Sequence, residues 1–190
     1  MERIVLASGS PRRKQLLEWA EVDFEVRVKD TPENWPAGMA TIDVPVHIAR
    51  NKALAVKADI GPGRVVIAAD TVVVLGSEII GKPRDRADAV NILSRLAGQR
   101  HEVITGVVLL RDDQEQAFAD ITAVWFHPLT TAELESYVDR YKPYDKAGAY
   151  AIQEWIGVVG IKGIEGDFYN VMGLPVSRVV QALRKWRTEG

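Results

Sequence analysis

Ile4-Val5-Leu6-Ala7-Ser8-Gly9-Ser10-Pro11-Arg12-Arg13 is the stretch from which the fold can be read. Four apolar residues followed by a glycine turn predict a buried strand that ends at Ser8-Gly9. Ser10 is a favoured N-cap, and Pro11 suits the first helical position, where its missing N–H costs nothing. Leu16, Leu17 and Ala20 then recur at helical spacing. Strand, tight turn and helix in immediate succession predict an α/β protein. Arg12 and Arg13 break an ordinary rule, because they occupy the first helical turn, where the macrodipole is positive and cations are disfavoured. A bound anion resolves the conflict: free N–H groups, the hydroxyls of Ser8 and Ser10 and two guanidiniums make a triphosphate cradle. A solvated arginine pair beside an ordinary Ser-Pro cap is the alternative.

Beyond this helix, Phe24-Glu25-Val26-Arg27-Val28 alternates as a short strand does. A long irregular loop from Lys29 to Thr41 follows, carrying Glu33, and loops of that length are often functional. Asp43 to Ala58 reads as a helix with Pro45 in its first turn, and Ala49, Lys52, Ala53 and Val56 share one face. Lys52 either snorkels to water or points at the anion held by the arginines.

Val65 to Leu75 is almost uniformly apolar, as in a strand covered on both faces, yet Asp70 sits in its middle. A carboxylate in such a run is unfavourable unless paired, liganded or catalytic. The adjacent Ala68 and Ala69 leave space for something to approach it, while the bland alternative is an aspartate capping a turn. Gly76-Ser77-Glu78 predicts a hairpin turn into a short strand ending at Gly81-Lys82-Pro83, where a flexible and a rigid residue fix the chain around one cation. An exposed loop lysine is the plainer reading there.

Asp85 with Asp88 marks a helix start, and that helix runs through Val90, Leu93 and Leu96 to Gly98. His101 to Leu110 and Gln116 to Phe126 predict a long antiparallel hairpin, and Thr131 begins another helix. Glycines at 157, 160, 163 and 166 suggest a bulged strand and turn, and Asn170 to Pro175 reads as a loop into a last helix over 176–186. The sum is an α/β fold: one mixed twisted sheet wrapped by helices, residues 1–190 as a single domain, with two lobes and a cleft between them.

Composition narrows the function. A chain of 190 residues that is 47% apolar and 26% charged has the make-up of a soluble globular protein. Its net charge of −2 argues against bulk nucleic-acid binding, so any phosphate site is a local concentration of cations. The absence of cysteine excludes disulfides, thiolate metal sites and a cysteine nucleophile. No apolar run approaches the roughly 20 residues of a membrane span, which makes the cytoplasm the default expectation. His47, His101 and His127 lie in different elements without metal-ligand spacing. Walker A, dinucleotide-fingerprint and nucleophile-elbow sequences are all missing. What remains is Arg12, Arg13, Lys52, Lys82 and Lys146 on the positive side and Glu33 and Asp70 on the negative. Cations for phosphates and spaced carboxylates for a hard metal form a phosphoryl-transfer set.

The order and spacing of these pieces resemble the Maf family of nucleoside triphosphate pyrophosphatases, in the Maf/Ham1 (inosine triphosphatase-like) group. The matching motifs are Leu6 to Arg13, Ala68-Ala69-Asp70-Thr71, Gly81-Lys82-Pro83, Thr105-Gly106-Val107, Asp145 to Tyr150 with Ile152-Gln153, and Asn170 to Pro175. The resemblance implies hydrolysis between the α and β phosphates, giving a monophosphate and pyrophosphate, with Mg²⁺ or Mn²⁺ required. Its acidic residues fall on Asp70 and Glu33, implied as catalytic and as metal ligands, although Thr31-Pro32-Glu33-Asn34 departs from the commoner Asp-Glu pair. Its basic residues fall on Arg12, Arg13, Lys52 and Lys82, with Ser8 in the same substrate-binding set. Arg12, Thr71 and Gln153 are similar to the subfamily acting on dTTP and UTP, and a Gln amide, both donor and acceptor, suits an imide edge. A homodimer is also implied. Binding without turnover, in a regulator of septum formation, is the rival expectation.

Overall fold

The computed structural model describes residues 4–188. It contains a seven-stranded sheet whose strands pair in the order β2-β1-β3-β5-β6-β7, with β4 beside β3. In chain order these are β1 (Ile4–Leu6), β2 (Phe24–Val26), β3 (Val66–Leu75), β4 (Glu78–Ile80), β5 (Arg100–Arg111), β6 (Gln114–Phe126) and β7 (Ile161–Glu165). The helices are α1 (Pro11–Trp19), α2 (Asp43–Lys57), α3 (Arg86–Leu96), α4 (Thr131–Tyr141), α5 (Trp155–Gly160), α6 (Phe168–Met172) and α7 (Val176–Thr188). β1 lies parallel to both β2 and β3, whereas β4 on β3 and β7 on β6 are antiparallel. The mixed α/β class expected from the sequence is therefore the class found.

The chain divides into two compact units. The first gathers the residues up to Thr71, Thr105–Asp120 and the stretch from Gly173 onward. Its core is small and aliphatic: Val5, Ala7, Val66, Ala68, Val108 and Leu110 of the sheet pack on Ala49, Ala53 and Val56 of α2. Four alanines at that contact let helix and sheet approach closely. Gly106 serves the same end, because a Cβ there would lie 2.2 Å from the backbone nitrogen of Val46 in the first turn of α2.

The second unit comprises Val72–Ile104 and Ile121–Met172. Larger side chains fill it, among them Leu93, Leu96, Phe126, Leu134, Tyr137, Tyr150 and Ile156. Within it His101 is buried, with its Nε2 2.7 Å from the Tyr150 hydroxyl and the Phe126 ring edge-on at 5.0 Å.

Two expectations are corrected here. Gly157 and Gly160 belong to the short helix α5, and only residues 161–165 form a strand. Close approach does explain Gly157: a Cβ there would stand 1.6 Å from the carbonyl oxygen of Ile152. Asn170 to Met172 are not loop but the end of α6, with the Asn170 amide donating to the Val103 carbonyl and the Thr122 hydroxyl. Spacing alone hides so short a helix, since one turn has no period to show.

Candidate functional site

The site grows from the carboxyl end of β1. That strand pairs with β3 as far as Leu6 and Ile67, and the Ala7 N–H still donates to the Ile67 carbonyl at 2.7 Å. The chain then leaves the sheet at Ser8-Gly9, while β3 continues to Leu75. Ala68 to Thr71 thus lie where a parallel neighbour has just ended, the position at which open α/β sheets expose their crevices.

Ser10 caps α1 as its sequence predicts, its side chain accepting from the Arg13 N–H at 3.5 Å, with Pro11 in the first turn. The arginine pair is split in role. Arg13 is buried, and its guanidinium donates from Nε to the Gly173 carbonyl at 2.7 Å and to the hydroxyls of Ser8 at 3.2 Å and Thr71 at 2.9 Å. Burial pulls its pKa down, the Asp70 carboxylate opposes that, and Arg12 adds to it. The cation in the first turn is therefore reconciled by a carbonyl, two hydroxyls and a nearby carboxylate of the chain itself. Arg12, by contrast, is only half-buried.

Ser8 accepts from both the Ser10 N–H at 3.3 Å and Arg13, so its hydroxyl proton is its remaining hydrogen-bonding capacity. Thr71 accepts from Arg13, lies 2.9 Å from the Thr105 hydroxyl and reaches the Gly173 carbonyl at 3.4 Å. Gly173 holds a φ of 119°, a conformation L side chains rarely adopt, and this aims its carbonyl at Arg13.

Asp70 is buried and paired. Its Oδ1 lies 2.7 Å from the Lys52 ammonium, which also meets Glu33 Oε1 at 2.8 Å. Ala68 shares a buried cluster with Ala49 and Ala53 of α2, and that closeness brings Lys52 to the strand. Lys52 thus neither snorkels to water nor stands alone. Beside the triad a cavity of about 160 Å³ is lined by Ser8, Gly9, Lys29, Thr31, Glu33 and Lys52. At the roughly 10–15 Å³ of such volume that one water needs, the cavity has room for a hydrated phosphate group. Thr31 contributes a hydroxyl oxygen that is buried with no hydrogen-bond partner, so an incoming ligand oxygen or water would complete it.

Lys82 and Gln153 belong to the second unit. Lys82 is exposed between the Gly81 carbonyl, which accepts from the Gly148 N–H at 3.1 Å, and the buried Pro83. Gln153 is exposed after the buried pair Ala151 and Ile152. Its segment is braced by Tyr137, whose hydroxyl accepts from the Ala151 N–H at 3.3 Å and donates to the Glu154 carboxylate. Lys146 pairs with Asp145 at 2.9 Å and Glu154 at 3.8 Å, so its charge is met inside this unit.

The structure accordingly brings Ser8, Arg13, Glu33, Lys52, Asp70 and Thr71 into one connected set in the first unit. Sequence reasoning gave no role to Thr31, Thr105 or Gly173. Thr105 carried a readable signal, a polar residue in the apolar run Val103 to Leu110, the same signal that marked Asp70. Gly173 stood within the Asn170 to Pro175 motif, but nothing local tied it to Arg13, because their contact spans 160 positions.

A family model described as Maf-like protein matches residues 3–186. A dTTP/UTP pyrophosphatase of Cytophaga hutchinsonii is 50% identical over 182 residues, covering 96% of this chain and 83% of that protein. One from Bacteroides thetaiotaomicron is 45% identical over 184 residues, covering 96% and 95%. Among solved structures, the Ham1 protein of Staphylococcus aureus is similar at 16% identity and a TM-score of 0.46, over 66% of this chain and 72% of that one.

Proposed function

This chain belongs to the Maf family, and from that membership we propose that it hydrolyses dTTP and UTP to the monophosphate and pyrophosphate. The observation that carries the reading is the set Glu33–Lys52–Asp70 standing beside the Ser8-Gly9 turn at the start of α1. Cleavage of the α–β anhydride by water gathers negative charge on the departing pyrophosphate and frees a proton from the water. The first demand is met by cations and N–H groups, the second by a carboxylate. In this proposal Arg12, Lys52 and Lys82 neutralise the triphosphate, and the Ser8 hydroxyl donates to a phosphate oxygen. One of the two carboxylates, Asp70 or Glu33, receives the proton. Arg13 acts from behind, holding Ser8 and Thr71 in place. Arg12, Thr71 and Gln153 set base choice, the Gln amide meeting the imide edge of uracil or thymine with one donor and one acceptor.

The donor set suits Mg²⁺ or Mn²⁺. Among the described residues no cluster of three or more acidic or histidine side chains exists, but such ions often take one or two carboxylates and complete their shell with water and phosphate oxygens. Asp70 and Glu33 already converge on one cation, the Lys52 ammonium, and they would hold the ion. When bound, the ion supplies charge neutralisation of the phosphates. No helix among the described residues is long and apolar enough to cross a membrane. The proposal extends to a cytoplasmic homodimer, and light scattering on the purified protein tests its dimeric state.

The deciding experiment measures kcat/KM for pyrophosphate release from dTTP, UTP, dCTP, GTP and 7-methyl-GTP. Preference for dTTP and UTP is expected. A preference for a guanine nucleotide overturns the substrate assignment, and binding without pyrophosphate release overturns the enzyme.

A further inference from the structure

The two carboxylates of the site face a cation that the chain itself provides. Lys52 Nζ lies 2.8 Å from Glu33 Oε1 and 2.7 Å from Asp70 Oδ1. The ammonium is held deep, its side chain 17% exposed and that of Asp70 only 12%. A Mg²⁺ ion needs carboxylate oxygens at about 2.0–2.1 Å, so the ion and the ammonium cannot occupy the space between these two oxygens together. Lysine is also mobile where α2 is not: a compact charge on a four-carbon stem with rotatable donors. The cavity beside it is lined by Ser8 and Gly9 of the phosphate-cradle turn.

We propose that Lys52 holds the place of the divalent cation until the triphosphate arrives. Without nucleotide, its ammonium bridges Glu33 and Asp70, keeps two carboxylates from facing each other uncompensated, and excludes the metal. An incoming phosphate offers the ammonium a stronger anion, Lys52 turns toward it, and the carboxylate pair is released to the ion. Metal and nucleotide then bind synergistically, and by linkage each strengthens the other equally. This protects the free enzyme from holding a reactive metal with no substrate present. The identity of the triphosphate and of the metal rests on the pyrophosphatase reading above, but the exchange at Lys52 does not need turnover.

The test measures free Mn²⁺ by electron paramagnetic resonance, without nucleotide, in wild type, Lys52→Met and Lys52→Gln. Both variants are expected to bind Mn²⁺ more tightly than wild type, by a factor in the roughly 5–150-fold range typical of coupled sites. Adding Asp70→Asn to either should abolish the gain. Equal affinity in wild type and both variants overturns the proposal. A second arm uses wild type alone, so it decides the matter even if the variants do not fold. Mn²⁺ by itself should leave Tm unchanged, while Mn²⁺ with a non-hydrolysable α,β-imido analogue of dUTP should raise Tm beyond the analogue with chelator. A rise on Mn²⁺ alone as large as on the pair overturns it. Tighter Mn²⁺ binding by the variants of a wild type that releases no pyrophosphate would sustain the exchange and reject the pyrophosphatase reading.

Discussion

Replacing Arg13 by Met removes a buried guanidinium while keeping most of its stem volume. Three partners lose their donor at once: the Gly173 carbonyl at 2.7 Å, the Thr71 hydroxyl at 2.9 Å and the Ser8 hydroxyl at 3.2 Å. The two hydroxyls can turn to other partners, since Thr71 retains Thr105 and Ser8 retains the Ser10 N–H. The Gly173 carbonyl is left with only the weak 3.4 Å contact from Thr71. A hydrogen bond from a charged donor contributes about 1.5–3 kcal/mol, and an abandoned buried acceptor costs about 1–3 kcal/mol. These effects overlap and do not add, and the partners left behind are neutral, so the loss is about 1.5–3 kcal/mol. Against a total stability of about 5–15 kcal/mol, that is a substantial share. At about 2–4 °C per kcal/mol for a chain of this size, Tm should fall by about 3–12 °C. Urea unfolding followed by circular dichroism and tryptophan fluorescence measures it directly. Arg13→Lys should lie between, since it keeps the charge without the planar fork, and Arg12→Met should lose less than half as much stability. An Arg13→Met protein melting within about 2 °C of wild type would refute the view that this guanidinium is a structural tie.

Asp70→Asn should remain folded, because Glu33 still holds Lys52, while pyrophosphate release falls by at least about 10²–10⁴-fold; near wild-type turnover would shift the chemistry to Glu33. Gly106→Ala should destabilise by about 1–3 kcal/mol or more in urea titration, because its Cβ meets backbone at 2.2 Å and pushes α2, with Lys52, away from β3. His101 is pushed down to about 4, mainly by burial and then by Arg100, so it folds neutral. The unfolded chain binds that proton below about pH 6.5, so this contribution is whole above pH 6.5 and falls by about 3 kcal/mol as the pH drops toward 4; the difference in unfolding free energy between wild type and His101→Phe, measured by urea titration across that window, should shift by that amount.

The sequence alone carried the local elements and the chemical inventory. Ser10-Pro11 set the start of α1, the apolar run set β3, and Thr130 with Glu133 closes a capping box at α4 within the same turn. Such features are decided by neighbours a few residues apart, where spacing and side-chain type suffice. A carboxylate in an apolar strand was legible as well, because its burial without compensation is so unfavourable that a partner or a role had to exist. Which partner was not legible. Lys52 reaches Asp70 only because Ala49, Ala53 and Ala68 let α2 sit against β3. Arg13 turns away from solvent only because the Gly173 carbonyl arrives from the other end of the chain. Both outcomes are contacts between segments far apart in sequence, settled by packing and by the need to satisfy buried polar groups. The residues that could bind an anion or a metal were therefore written in the sequence. Whether each faces a ligand or another part of the chain was decided by tertiary structure, because a charge removed from water must take whichever partner the packing puts within reach.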